Sequence, residues 1–244
     1  YINRYLDTTA TNATFGGLFP AVGKGAVIEK LGIENSYISA KHAAGICGYI
    51  DYHDRSDVSG IPIGYPLDAD LPYFTQCFAS SDVIVEGGAS SGGIIGGTPS
   101  SVRLDNCYSV ATIIGRVHGG LIGYSWNDTT LYISNCFAYA NELVSLASKN
   151  PCVGENNYAS VLDGFGVTQL VRSRMIGDAA KLNTGLDFDN IWQTVPGRTP
   201  TLRVFGPDQP DTHSLENVTV KINFVSGFPD MVIDPAEGFA GDPI

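Results

Sequence analysis

The chain has 244 residues, 43% of them hydrophobic and only 16% charged, with 29 glycines and a net charge of −11. That length and apolar content support a buried core. The acidic balance argues against nucleic acid and anionic membrane as partners, because both require basic patches, and it disfavours an acidic polysaccharide for the same reason. No apolar run approaches the roughly 18–20 residues of a membrane-spanning helix. The chain opens at Tyr1 without an initiator Met or signal peptide and stops at Ile244, and it is expected to be a segment of something longer. The expected fold is all-β, with glycines punctuating short strands.

Taken in chain order, glycine runs recur as "FGGLF" at 15–19, "AGICG" at 44–48, "GGIIG" at 92–96 and "GGLIG" at 119–123, with a worn copy, "NPCVG", at 150–154. A second element follows them: "QCFAS" around Cys77, "NCYSV" around Cys107, "NCFAY" around Cys136 and "NNYAS" around Asn157. Successive cysteines of this element, Cys77, Cys107 and Cys136, are evenly spaced. On the same phase the first copy carries Gly32 where later copies carry Cys. A period near 28–30 residues is the signature of a solenoid, in which copies too small to close a core alone stack and pair equivalent strands. The glycine pairs are expected at tight corners with positive φ or where copies approach closely. The aliphatic residue between glycines points inward, and the Cys-aromatic pair fills the next wall.

The five cysteines, at 47, 77, 107, 136 and 152, are odd in number and lack CxxC spacing, which gives neither a fully paired framework nor a zinc pattern. Parallel in-register cysteines hold their Cβ atoms about 4.8 Å apart against the ~3.8 Å of a disulfide, so buried free thiols are expected. One interval breaks the period. The second and third glycine runs, opening at Ala44 and Gly92, are separated by well over one period, which leaves an insertion at about 49–73 reading "YIDYHDRSDVSGIPIGYPLDADLPY".

That insertion gathers Tyr49, Asp51, His53, Asp54, Asp57 and Tyr65, and it is the first candidate ligand site. Long loops on rigid scaffolds concentrate binding residues; the aspartates offer hard oxygens to calcium and the tyrosines offer faces to sugar rings. Aspartates also suit turns, and no run matches a calcium-loop pattern, so no cofactor is assigned and calcium is the one candidate. "YSWNDTTLY" adds Trp126, with Tyr124, just after a corner. His42 and His118 come before glycine pairs or their equivalents, share one ladder position at the corners, and read as structural residues. Only Asp105 and Asp128 accompany the repeat motifs, and no nucleophile, zinc or phosphate-loop motif is present. No catalytic or metal residues are assigned.

"GGLIGYS" and "GGIIGG", each followed by an Asn-Cys-aromatic run, resemble the GLUG motif of bacterial surface proteins, including adhesins and the stalks of secreted peptidases. The resemblance spans about residues 15–205. It implies a right-handed parallel β-solenoid (β-helix) of ~28–30-residue repeats with a short capping helix and a small C-terminal β segment. Residues 173–205 would form the C-terminal cap, with Ala179–Asn183 ending its helix and Trp192 covering the last coil. Residues 206–217 read as a linker rich in Pro and Asp. Residues 218–244 resemble the start of a truncated Listeria–Bacteroides-repeat module, with a strand at 218–225. The function implied is non-enzymatic: an adhesin or rigid stalk at the bacterial cell surface, meeting a host or microbial glycan or a surface protein, joined to further domains of its parent chain and not inserting into a membrane. The alternatives are a polysaccharide-active β-helix enzyme, which needs two carboxylates converging on a groove, and a spacer without a ligand.

Overall fold

The computed structural model describes residues 14–50, 71–126, 129–140, 152–160 and 167–205. These belong to one compact unit, residues 1–205, while residues 206–244 form a second. The linker at 206–217 and the strand at 218–225 therefore lie outside the described residues.

The first copy of the repeat supplies β1 (Phe15–Gly16), β2 (Phe19–Val22) and β3 (Val27–Ile33). The second supplies β4 (Tyr37–Ala44), β5 (Cys47–Ile50) and β6 (Tyr73–Ala79). Next come β7 (Ile84–Gly92), β8 (Ile95–Gly97), β9 (Val102–Asp105) and β10 (Tyr108–Ser109), then β11 (Thr112–Gly115), β12 (His118–Gly119), β13 (Leu131–Ser134) and β14 (Phe137–Ala138). The chain continues through β15 (Cys152–Val153), β16 (Asn157–Ala159), β17 (Val167–Gln169), α1 (Gly177–Asn183), β18 (Trp192–Val195) and β19 (Arg198–Leu202).

The described residues are thus mostly β, with parallel pairing in their three larger sheets and one short α-helix. One sheet runs β1-β4-β7, with β7 continuing to β11 and β12; the second runs β2-β5-β8; the third begins at β3-β6 and continues along β9-β13-β15 and β10-β14-β16-β17. The exception is the antiparallel pair β18-β19. Register reproduces the sequence period. Phe19 lies beside Cys47, Cys47 beside Ile95 and Ile95 beside Ile122. The first and last of these steps span one repeat each, and the middle one is lengthened by the insertion. The period shortens toward the C-terminal end, where Phe137 pairs with Tyr158.

Register also corrects three alignments. Leu31, not Gly32, stands opposite Cys77; Gly32 faces Phe78, and a Cβ on it would fall 2.1 Å from that ring. Glycine there makes room for an aromatic. Cys152 of "NPCVG" pairs with Leu131, so that run is a copy of "VRLD" rather than of a glycine run. His42 stands opposite Ser90 while His118 stands opposite Ser91, so the two histidines are one position out of phase, with an irregularity between Ala40 and His42.

The glycine runs stand at bends, at Gly17, Gly45 and Gly93 where the chain passes from one sheet to the next, but without positive φ. Left-handed backbone marks instead the residue preceding the Cys position: Gln76 (φ 55°), Asn106 (51°), Asn135 (53°) and Asn156 (58°), with Lys30 (54°) in the first copy; Asn35 (53°), between β3 and β4, adds another. Asn tolerates this region better than other residues with a Cβ, which explains the Asn of "NC". The asparagines also form a ladder. Asn135 Nδ2 donates to Asp105 Oδ1 at 2.9 Å, and Asn156 Nδ2 to Asn135 Oδ1 at 3.0 Å. The glycine pairs serve close approach instead: a Cβ on Gly93 would lie 2.4 Å from Gly120 O and 2.0 Å from Ser109 Oγ. Between the glycines, Ile46, Ile94 and Leu121 are fully buried, as expected.

Strand alternation builds two cores from one motif. At each Cys-aromatic pair the cysteine faces the main core with Ile46, Ile94, Leu104 and Leu121. The neighbouring aromatic faces the opposite way, into a second cluster. There Phe78, Tyr108 and Phe137 stack, with centroids 5.3 and 4.7 Å apart, the second pair tilted by only 2°. The C-terminal segment covers this ring ladder. Trp192 lies 6.0 Å from Phe78 and 5.2 Å from Tyr108, with Met175, Ala180 and Leu202 beside it. Trp192 therefore packs along the flank of the aromatic ladder, against Phe78 and Tyr108, which it helps to bury.

The thiols are free, and Cys47, Cys77, Cys107 and Cys136 are buried. They do more than fill space. Cys77 N–H donates to Cys107 Sγ and Cys107 N–H to Cys136 Sγ, both at 3.4 Å. Asn157 ends the row, its Oδ1 accepting from Cys136 N–H at 3.3 Å.

Candidate functional site

Of the seven sequence candidates, Asp51, His53, Asp54, Asp57 and Tyr65 lie outside the described residues. Tyr49 and Trp126 are described, and the fold brings them together. Tyr49 is not in the insertion but in β5, beside Ala21 and Gly97. Trp126 is held by its N–H donating to Thr98 O at 3.0 Å and by Thr129 Oγ1 donating to its carbonyl at 3.0 Å. Their rings meet edge to face with centroids 5.7 Å apart.

Three further rings join them. Phe15 and His42 occupy the same register position of β1 and β4. Phe15 stacks on Tyr49 at 4.4 Å, and His42 lies 5.5 Å from Tyr49 and 6.1 Å from Trp126. Tyr124 meets Trp126 edge to face at 4.7 Å. All five rings are half-buried. Gly97 lets them converge, since a Cβ there would lie 3.4 Å from His42 Nδ1, from Ser90 Oγ and from the Trp126 ring. Burial, and secondarily the charge of Lys41, lowers the His42 pKa below its ordinary 6.5, so the imidazole is neutral at neutral pH.

His42 Nδ1 lies 2.8 Å from Ser90 Oγ. Ser90 is only 2% exposed, so its hydroxyl anchors the imidazole and is not offered to a substrate as a nucleophile. Asp105, the other polar candidate, has both carboxylate oxygens in the asparagine ladder, accepting from Asn106 and Asn135. Asp128 lies outside the described residues. Among the described residues no group of His, Cys, Asp and Glu is placed to hold a metal.

Sequence reasoning missed Phe15 and treated His42 as a corner residue. A signal was available: Phe15 and His42 are separated by one repeat, and each immediately precedes a stretch of small residues. What the sequence did not carry was the fold of β5 and of the Tyr124–Trp126 segment onto that pair.

No protein-family model matches the chain, and no curated protein matches it. Among solved structures the chain is similar to the crystal structure of a "putative immunoglobulin A1 protease" from Bacteroides ovatus, at 18% identity and a TM-score of 0.47. The match covers 70% of this chain and 57% of that one, so the chain spans somewhat over half of that protein's length.

Proposed function

We propose that this chain is a right-handed parallel β-solenoid of GLUG type, a non-enzymatic segment of an extracellular bacterial surface protein. It acts as a stiff rod that presents an adhesive face, and the ring cluster around Tyr49 and Trp126 is where it meets a glycan. The three parallel sheets are then the three walls of the rod, and the repeated register supports that reading. The observation that carries the ligand proposal is the ring cluster itself. Phe15 comes from the first copy of the repeat, His42 and Tyr49 from the second, and Tyr124 and Trp126 from the copy that opens at Gly119, yet each has another ring within 4.4–6.1 Å. Aromatic faces suit the C–H faces of pyranose rings, and large rigid rings lose little conformational entropy on binding. The chain leaves Ile50, next to Tyr49, into the segment bearing Asp51, His53, Asp54, Asp57 and Tyr65, which would supply polar contacts and, with calcium, a second means of holding hydroxyls.

The test is a broad glycan array probed with the whole chain, in calcium and in chelator. Specific binding that Tyr49→Ala and Trp126→Ala each weaken at least tenfold supports an adhesive face at the cluster. Binding that survives both substitutions moves the site elsewhere, and silence in both buffers leaves the spacer reading.

A further inference from the structure

A second site, sharing no residue with the ring cluster, lies where β11 and β12 meet the chain after β14 and the turn Arg172–Arg174. It is a groove of about 270 Å³, walled by Ser81, Thr112, His118, Tyr139 and Arg172 over a floor that includes Ile113. We propose that this groove binds a single sugar ring bearing a carboxylate, with Arg172 holding the carboxylate.

Four observations carry the proposal. The first is charge. The chain carries −11, yet among the described residues this groove's lining includes Arg172 and no Asp or Glu. The second is the state of the arginine. Its guanidinium carbon sits 4.8 Å from the centre of the Tyr139 ring, and no described carboxylate pairs with it. A guanidinium held over an aromatic face keeps its N–H donors available, and a planar fork of this kind grips a carboxylate with two parallel bonds. The Tyr139 backbone is itself fixed, its N–H donating to Ser109 O at 2.9 Å, and the residue is 40% exposed.

The third is the polar surround. His118 directs Nδ1 at its own Gly115 carbonyl, 3.2 Å away, which fixes the ring and leaves Nε2 for a ligand. The hydroxyls of Ser81 and Thr112 line the same groove and suit ring hydroxyls. The fourth is size. A volume of about 270 Å³ lies just under the ~300–1,000 Å³ of drug-sized ligand sites, which admits one pyranose ring and not an oligosaccharide chain. The overall acidity that disfavours an acidic polymer spread along the surface does not apply to one carboxylate entering one basic groove.

The test is an NMR titration of the whole chain with D-glucuronate, D-glucose and acetate in parallel. Glucose differs from glucuronate in lacking the carboxylate, and acetate in lacking the ring. The expected result is a millimolar Kd for glucuronate, at least tenfold tighter than either control, with shifts centred on residues 112–118 and 139. Arg172→Gln and Arg172→Lys should each weaken glucuronate at least tenfold, the second because it keeps the charge and loses the fork. In the unmodified chain the signals of Tyr49 and Trp126 should not follow this titration, which separates this site from the ring cluster. Glucose titrating as well as glucuronate overturns the carboxylate role, and acetate doing so overturns the sugar. An unaltered Kd in Arg172→Gln overturns the assignment to this groove. The three-probe comparison on the unmodified chain is decisive whether or not a variant folds.

Discussion

The backbone N–H of Cys77 donates to the sulfur of Cys107, one repeat further along the chain, at 3.4 Å. The relation recurs one copy later between Cys107 and Cys136 at the same distance. The left-handed residue before each cysteine turns the chain and takes this N–H out of the regular ladder. A side chain from the next copy satisfies it, and in the last instance Asn157 replaces sulfur with a better acceptor.

Removing a sulfur should therefore cost more than its volume. Cys107→Ala leaves Cys77 N–H buried without a partner as well as opening a small cavity, and is expected to lower stability by about 2–3 kcal/mol in urea denaturation. Asn157→Ala should cost at least as much, because its Nδ2 also donates to Ile133 O at 2.6 Å. A loss below about 0.5 kcal/mol in both variants would show that these contacts carry no net energy.

The same thiols predict an alkaline limit. Burial pushes the Cys47 thiol up to about 12 from an ordinary 9.0. Cys77 is raised in the same direction, chiefly by its hydrogen bond with Cys107, and Cys107 chiefly by burial. The folded state thus keeps protons that the unfolded chain releases. Their contribution is fully present below pH 9 and is lost as pH rises toward 12, at about 1.4 kcal/mol per pH unit for each thiol. Urea midpoints at pH 8, 9.5 and 10.5 should fall steeply. Replacing Cys47 by Ala should flatten the slope while lowering the plateau.

Backbone conformation separates two kinds of corner substitution. Gln76 holds φ 55° without asparagine's tolerance for that region. Gln76→Gly is expected to stabilise by about 0.5–1 kcal/mol. Asn135→Ala should destabilise by about 1–3 kcal/mol, since it adds left-handed strain to the loss of the bond to Asp105. Thermal midpoints of the two variants should move in opposite directions.

Close approach predicts which glycines tolerate a methyl. In Gly93→Ala the new Cβ would meet the Gly120 carbonyl at 2.4 Å, and backbone cannot give way there, so the variant should fail to fold. Gly88→Ala meets nothing nearer than 3.7 Å and is expected to be neutral or slightly stabilising. Circular dichroism of the two purified variants distinguishes them.

The C-terminal segment is held to the ring ladder by Tyr108, whose hydroxyl donates to Pro200 O at 2.6 Å. Tyr108→Phe strands that carbonyl and should cost about 1–3 kcal/mol, read as faster hydrogen exchange across 186–202. Trp192→Ala should cost about 3–5 kcal/mol. Trp192→Phe should cost much less, because Trp192 Nε1 is buried with no hydrogen-bond partner among the described residues and its removal relieves that penalty.

What could be read from the sequence alone was whatever repeats. Period, parallel pairing, the inward Ile46, Ile94 and Leu121, the free thiols and the helix ending at Asn183 follow from local pattern, because each copy must match its neighbour to share a core. Phase within a copy was legible only approximately, as Gly32 and Leu31 show, since a strand position is assigned by what it faces. Which corners carry positive φ was not legible, because glycine signals both positive φ and close approach, and only the backbone distinguishes them. The sites belonged wholly to tertiary structure. The sequence offered Tyr49 and Trp126 as separate candidates, far apart along the chain. Their meeting with Phe15 and His42 depends on the register of neighbouring strands and on the missing side chain at Gly97. Arg172 and Tyr139 carry no motif at all, and they meet because the C-terminal segment must cover the stacked rings of Phe78, Tyr108 and Phe137, which places the turn Arg172–Arg174 beside the end of β14.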